Sequence, residues 1–358
     1  MKRSTFVAAA GAVTLLAASP AAAINTYNAQ PAPERTEVGA YLALWDTTGD
    51  GVPDRFDWRC SGTMVDDDTF LTAAHCTDGS PAGTRTFVSL EEDVQSLLDE
   101  HADLSPSAQA DLFLANGWVV EGDPHQDARY PGPASDTADI AVVDFAGRDV
   151  TPADVWDFTP ATLPSAGQLD RVGGTTLARA PWTVVGYGTA EAQNGPGGHT
   201  HPGGGVRLKA SEGFNALTKS WVRLSINESK GYGGACYGDS GGPNFVTVAG
   251  QQVLAGTTIT GDVPCKATNV VYRLDTAPAR AFLAPSSPCA DPRRAAPRSG
   301  DRGAALTALV QRTVRQSRHE PDPLTAARQQ ILHLEFPSRS ARTTRTRGAA
   351  GGRLPRRP

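Results

Sequence analysis

Cys236-Tyr237-Gly238-Asp239-Ser240-Gly241-Gly242-Pro243 decides the reading of this chain, together with Thr72-Ala73-Ala74-His75-Cys76 upstream and Asp139-Ile140-Ala141-Val142-Val143 between them. A serine hydroxyl is a poor nucleophile at neutral pH. It needs a base within hydrogen-bond reach and a buried carboxylate that holds the base in the right tautomer. Ser240, His75 and Asp139 can fill those roles, in the chain order His, Asp, Ser. Gly238 has no Cβ to block its amide from turning toward a developing negative charge, so the backbone N–H groups of Gly238 and Ser240 are the expected oxyanion hole. Ordinary structural roles are expected for His101, His125, His199, His201, His319 and His333.

Outward from these motifs, the chain reads as all-β. Val38 to Trp45, Thr86 to Leu90, Asp139 to Phe145, Thr183 to Tyr187, Trp221 to Ile226, Val253 to Ile259 and Asn269 to Leu274 are strand-like runs, separated by turns rich in Gly, Pro and Asp. One helical stretch, Thr276 to Ala284, follows the last strand, and no internal repeat is visible.

With Trp58-Arg59-Cys60-Ser61-Gly62-Thr63, Gly186-Tyr187-Gly188 and Tyr272-Arg273-Leu274-Asp275-Thr276 added to the three motifs, the chain resembles the secreted bacterial and fungal members of the trypsin/chymotrypsin family of serine endopeptidases. The resemblance runs from about Val38 to Leu283. It implies two six-stranded antiparallel β-barrels with the triad in the cleft between them and a C-terminal helix. It also implies that Ser240 attacks the peptide carbonyl, that His75 takes and later returns the proton, and that Asp139 orients the imidazole. Cys60 with Cys76 and Cys236 with Cys265 match two family disulfides. The first would close a loop of about 15 residues, worth ~3 kcal/mol in the chain-entropy model. A zinc site built from these cysteines lacks the expected spacings, and Cys289 has no evident partner.

Specificity follows from the same resemblance. Relatives that cleave after Lys or Arg carry an aspartate six residues before the nucleophile; that position is Gly234 here. Gly261 leaves the pocket mouth open, and Val270 is placed near the inner wall. A small or medium apolar P1 residue such as Ala, Val or Leu is therefore expected. Two departures stand out. Ile259-Thr260 replaces the family's Ser-Trp, removing a serine that supports the buried aspartate, and no Ile-Val-Gly-Gly start exists. Either cleavage before Ile24 frees an amine that pairs with Asp239, or Asp239 finds another partner, or a propeptide ends near Arg35.

Met1-Lys2-Arg3, the apolar run Phe6 to Ser19 and Ala21-Ala22-Ala23 read as a signal peptide over residues 1–23, too short to span a bilayer. Residues 24–284 are the expected protease domain, with 16 Lys and Arg against 33 Asp and Glu, or −17; residues 285–358 form a basic tail with 15 Arg against five acids, or +10. The acidic domain argues against nucleic acid as substrate. The tail binds an anionic polymer or membrane surface, folds back on the acidic domain, is a dispensable segment, or reflects an altered reading frame.

Asp46-Thr47-Thr48-Gly49-Asp50-Gly51-Val52-Pro53-Asp54 has part of the spacing of a calcium loop, and a plain polar hairpin explains it equally. Glu91 to Gly117 reads as an acidic, helix-containing insertion on the rim, and Asn194 to Gly205 as a flexible Gly-rich loop. The expectation is a secreted, extracellular endopeptidase acting on polypeptides, with no cofactor, no metal and no stable membrane insertion. A catalytically silent homologue acting as a binding protein is the alternative. An esterase or a tail-driven adhesin fits less well, since the α/β-hydrolase order is Ser, Asp, His and an adhesin leaves the triad unexplained.

Overall fold

Alternation along one strand shows how the first barrel is built. In β1 (Val38–Trp45) residues Val38, Ala40, Leu42 and Leu44 join one apolar cluster, while Tyr41 and Ala43 join another. Successive side chains of a strand point to opposite faces. A strand buried on both faces therefore reads in the sequence as a continuous apolar run. The computed structural model describes residues 24–81 and 83–284. The expected leader, the basic tail and Cys289 lie outside the described residues.

β1 pairs with β2 (Arg55–Met64), and with β3 (Thr69–Thr72), β4 (Arg85–Ser89), β5 (Val120–Gln126) and β6 (Ala141–Asp144) it closes a barrel in the order β1-β2-β3-β6-β5-β4. The second barrel uses β7 (Trp182–Gly186), β8 (Leu208–Leu217), β9 (Trp221–Ser225), β10 (Pro243–Val248), β11 (Gln251–Gly261) and β12 (Thr268–Arg273). Its order is β7-β8-β9-β12-β11-β10, closed by β10 against β7. The two orders are the same topology repeated, in a sequence without a visible repeat. All pairings are antiparallel, and closure leaves each barrel without a free edge.

The fold is thus all-β with two six-stranded antiparallel barrels and a C-terminal helix, Ala277–Leu283, as expected. Thr276 caps that helix by accepting from the Ala279 amide. One apolar cluster joins the barrels, with Leu42 and Leu71 from the first and Val185, Phe245, Leu254 and Tyr272 from the second.

The insertion after β4 forms two helices, Val94–Glu100 and Pro106–Ala115, capped by Asp93 and Ser105. Their buried faces extend the first barrel's core: the Phe113 ring stands edge-on to Phe56 at 5.3 Å and to Trp118 at 5.3 Å. The Gly-rich segment carries a short hairpin, Gln193–Gly195 with Gly198–Thr200. In the loop joining β1 to β2, the Asp46 carboxylate accepts from the amides of Thr48, Gly49 and Gly51 and from the Thr48 hydroxyl. Asp54 accepts from the Thr47 amide and hydroxyl. These carboxylates cap the turns of their own loop. Among the described residues, no helix is long and apolar enough to cross a membrane.

Phe113→Ala should lower the unfolding free energy by about 3–5 kcal/mol, the range for truncating a buried aromatic residue. Urea unfolding in a Ser240→Ala background, which removes any self-digestion, measures it.

Candidate active site

Strand pairing brings the first two candidate residues together. Thr72 at the end of β3 is in register with Ala141 at the start of β6. His75 lies just beyond the first, in the short helix Ala74–Thr77, and Asp139 just before the second. Asp139 Oδ2 stands 2.8 Å from His75 Nδ1, and Oδ1 accepts from the His75 amide at 3.0 Å. The carboxylate is buried while the imidazole is partly exposed. Donation from Nδ1 fixes the tautomer that leaves Nε2 free to act as a base.

Ser240 sits in a turn held from both barrels. On the first-barrel side, the Ser61 amide of β2 donates to the Ser240 carbonyl at 2.9 Å and the Ser61 hydroxyl to the Gly238 carbonyl at 2.9 Å. On the second-barrel side, the Gly241 amide donates to the Thr258 carbonyl of β11 at 2.7 Å. Cys60–Cys76 and Cys236–Cys265 are both bonded. Cys76 Sγ lies 3.8 Å from the Ser240 carbonyl oxygen; a disulfide sulfur has no proton, so this is a packing contact. It places the Ser240 turn against the residue that follows His75. The side chains of Ser240 and His75 are not hydrogen-bonded to each other in this resting geometry, as is common before substrate tightens such a site.

Gly238 has φ +93°, and a Cβ there would collide with the Trp58 ring. Trp58 is anchored by Nε1 donating to Gln95 Oε1 at 2.8 Å. The amides of Asp239, Gly241 and Gly242 bond to described carbonyls, and those of Gly238 and Ser240 do not. Two unengaged amides two residues apart in one turn are the arrangement that an oxyanion-binding turn requires.

Asp239, beneath the turn, is fully buried and accepts from the Gly188 amide at 2.8 Å and the Cys236 amide at 2.8 Å. Burial pushes its carboxyl up to about 7. The chain's first described residues lie close by. The Ile24 side chain is buried with Val184, Leu208, Ala210 and Ala235, and its amide donates to the Gly188 carbonyl at 3.1 Å. Asn25 exchanges backbone and side-chain hydrogen bonds with Gly234, and Asn25 Nδ2 donates to the Cys265 carbonyl.

Gly234 lies six residues before Ser240 with Ile226 and Glu212 beside it, and Gly261 is the last residue of β11. Val270 requires a correction. Gly261 is in register with Asn269, and Asn269 is the buried residue whose Nδ2 donates to Glu212 Oε1 at 2.9 Å. Val270, the next residue of an extended strand, faces the other way. A one-residue bulge between Thr258 and Thr260 shifts the register, so sequence spacing alone misplaces the wall. Ile259 packs between the barrel cores and has no hydroxyl for Asp139, whose partners are the two His75 groups.

Sequence reasoning missed Glu212, Asn269 and Trp58. A Cβ on Gly234 would stand 2.8 Å from Glu212 Oε1. Glu212 is buried, and desolvation, with a smaller push from the Asp239 charge, raises its carboxyl to about 8. Among the described residues, two groupings of His and Cys come close enough to share a metal: His75 with Cys60 and Cys76, and His201 with Cys236 and Cys265. Their sulfurs are committed to disulfides and are not thiolate ligands. His201 stacks edge-on to Tyr237 at 4.5 Å, and its Nε2 lies 3.0 Å from the Val263 carbonyl oxygen.

The family model described as Trypsin matches residues 47–277. Kallikrein 1-related peptidase b27 of Mus musculus is 27% identical over 226 residues, covering 59% of this chain and 73% of that relative.

Glu212 and Asp239 both hold a proton more tightly folded than unfolded. Such acids contribute stability that is complete below their unfolded values, near ~4, and lost as pH rises through the folded values. In the chain that retains residues 1–23, whose Ile24 nitrogen is an amide, the melting temperature should therefore fall as pH rises from about 4 toward 8. Glu212→Gln should flatten the upper part of that slope; an unchanged slope in thermal melts would remove Glu212 as its source.

Proposed function

Because the chain belongs to the trypsin family of serine proteases, we propose that it is a secreted endopeptidase that hydrolyses peptide bonds through an acyl-enzyme. Ser240 is the nucleophile, His75 the base and then the acid, and Asp139 the group that orients the imidazole and stabilises its charged form. The amides of Gly238 and Ser240 receive the oxyanion. The observation that carries this reading is the His75–Asp139 pair, 2.8 Å apart, on the wall against which the Ser240 turn is clamped. No cofactor or metal is invoked for any step.

At neutral pH, small or medium apolar P1 residues such as Ala, Val or Leu are preferred. Gly234 adds no side chain to the pocket, and burial keeps the neighbouring Glu212 protonated below about 8. Polypeptides are the substrates, and nucleic acid is disfavoured by the acidic domain. Residues 1–23 direct export, and the two disulfides suit an oxidising compartment. The basic tail is assigned contact with anionic polymers or surfaces.

Removal of residues 1–23 leaves the amine of Ile24 beside the Gly188 carbonyl, close to a buried acid whose two described partners are amides. The resulting ammonium pairs with Asp239 and braces the oxyanion turn. A buried charge is tolerated when it is paired and hydrogen-bonded.

Two measurements test the reading. Peptide nitroanilides differing only at P1 should be hydrolysed by the purified protein, with kcat lower by about four to six orders of magnitude in Ser240→Ala; equal rates in both proteins would overturn the assignment. N-terminal sequencing of the active form should begin at Ile24, and a start well away from it would reject the Ile24–Asp239 pair.

A further inference from the structure

We infer that Glu212 is a specificity-determining residue of the primary pocket. Its carboxyl, delivered by β8 to the place beside Gly234, is the acceptor for a P1 side chain that ends in a cation, arginine above all. The inference rests on the proposed protease reading and deepens it.

Position carries the first part of the argument. Gly234 is six residues before Ser240, and the point where its side chain would begin lies 2.8 Å from Glu212 Oε1 and against Ile226. An acid is absent from the chain at that position but present in space, supplied by Glu212, 22 residues earlier in the sequence.

Unmet bonding capacity carries the second part. Among the described residues no lysine, arginine or histidine bonds to Glu212; its hydrogen-bond donor is Asn269 Nδ2 at 2.9 Å. Glu212 Oε2 lies 2.9 Å from the Asn244 side-chain amide, whose Oδ1 accepts from the same Asn269 Nδ2 at 2.9 Å. Asn269 Oδ1, at the same place, is buried with no partner at all. A buried carboxyl and a buried unpaired amide oxygen are costly unless something donates to them. A guanidinium has five N–H donors and no acceptor, so it can serve both oxygens and neutralise the charge.

Protonation sets when this acceptor is available. The groups facing Glu212 are the neutral amides Asn269 on β12 and Asn244 on β10, the apolar Ile226 after β9, and the charge of Asp239 in the turn. Burial and the Asp239 charge both hold the proton on Glu212 at neutral pH. The pocket is then uncharged and suits apolar P1 residues. As pH rises, the proton leaves to solvent and the pocket gains a negative floor.

The test compares kcat/KM for nitroanilides with Arg and with Leu at P1, from pH 6 to pH 9, in the full chain and in Glu212→Gln. Arginine stays charged throughout, and any pH effect common to both substrates divides out of the ratio. In the native protein the Arg-to-Leu ratio should rise about tenfold per pH unit below the Glu212 midpoint and then level off. In Glu212→Gln it should be flat and, at pH 9, about a hundredfold or more lower, as when one partner of a buried ion pair is removed. The same ratio and the same pH dependence in both proteins would overturn the inference. If neither protein cleaves any peptide, the protease reading fails and a binding measurement decides the role of Glu212. Calorimetry at pH 9 with benzamidine, and with neutral benzamide as control, should then show amidine binding that weakens at least about tenfold in Glu212→Gln. No amidine binding, or equal binding in the two proteins, would overturn it.

Discussion

The turn from Gly238 to Gly242 is fastened to both barrels at once, and the geometry around Ser240 depends on that fastening. Ser61 reaches it from β2 through both its amide and its hydroxyl, and Thr258 reaches it from β11 through its carbonyl. The Cys60–Cys76 bond then ties the residue before Ser61 to the residue after His75. A short path of covalent and hydrogen bonds thus connects the imidazole to the serine turn without passing through any flexible side chain. Buried backbone groups are costly to leave unbonded, so sliding one barrel against the other would break several of these contacts together.

Beneath this turn, the second barrel carries two buried acids whose described partners are amides. Asp239 rests on the amides of Gly188 and Cys236, and Glu212 on the side chain of Asn269. Each is held protonated more strongly than an exposed acid because the interior disfavours its charge. In the proposed scheme each acid has its own cation, the Ile24 amine for one and a P1 guanidinium for the other. In that proposal the same physical condition, a desolvated carboxyl without a counter-charge, would serve the assembly of the turn in one place and the choice of substrate in the other.

Legibility in the sequence tracked burial pattern. β1, β4, β6, β7, β9, β11 and β12 each contain an apolar run, and those were the seven strands expected. The other five were not singled out. β2 carries Arg55, Asp57 and Arg59, β5 carries Glu121, Asp123 and Pro124, and β8 carries Lys209 and Glu212. β3 has only four residues, and β10 follows directly on the Ser240 motif. Their strand character comes from pairing with neighbours in a closed barrel, which local composition does not record. Sequence spacing misplaces Val270 for a related reason, since the bulge after Thr258 changes which residue of β12 opposes Gly261.

By itself the sequence determined the serine, histidine and aspartate motifs, their order along the chain and the all-β class. These are legible because each is carried by a contiguous motif or a local periodicity. Only the tertiary structure decided what stands beside Gly234. Glu212, Asn269 and Asn244 come from three different strands and meet because barrel closure turns their side chains inward to one point. Trp58 likewise covers Gly238 from a strand of the other barrel. A pocket's chemistry is set by distances in space, and strand register and bulges fix those distances.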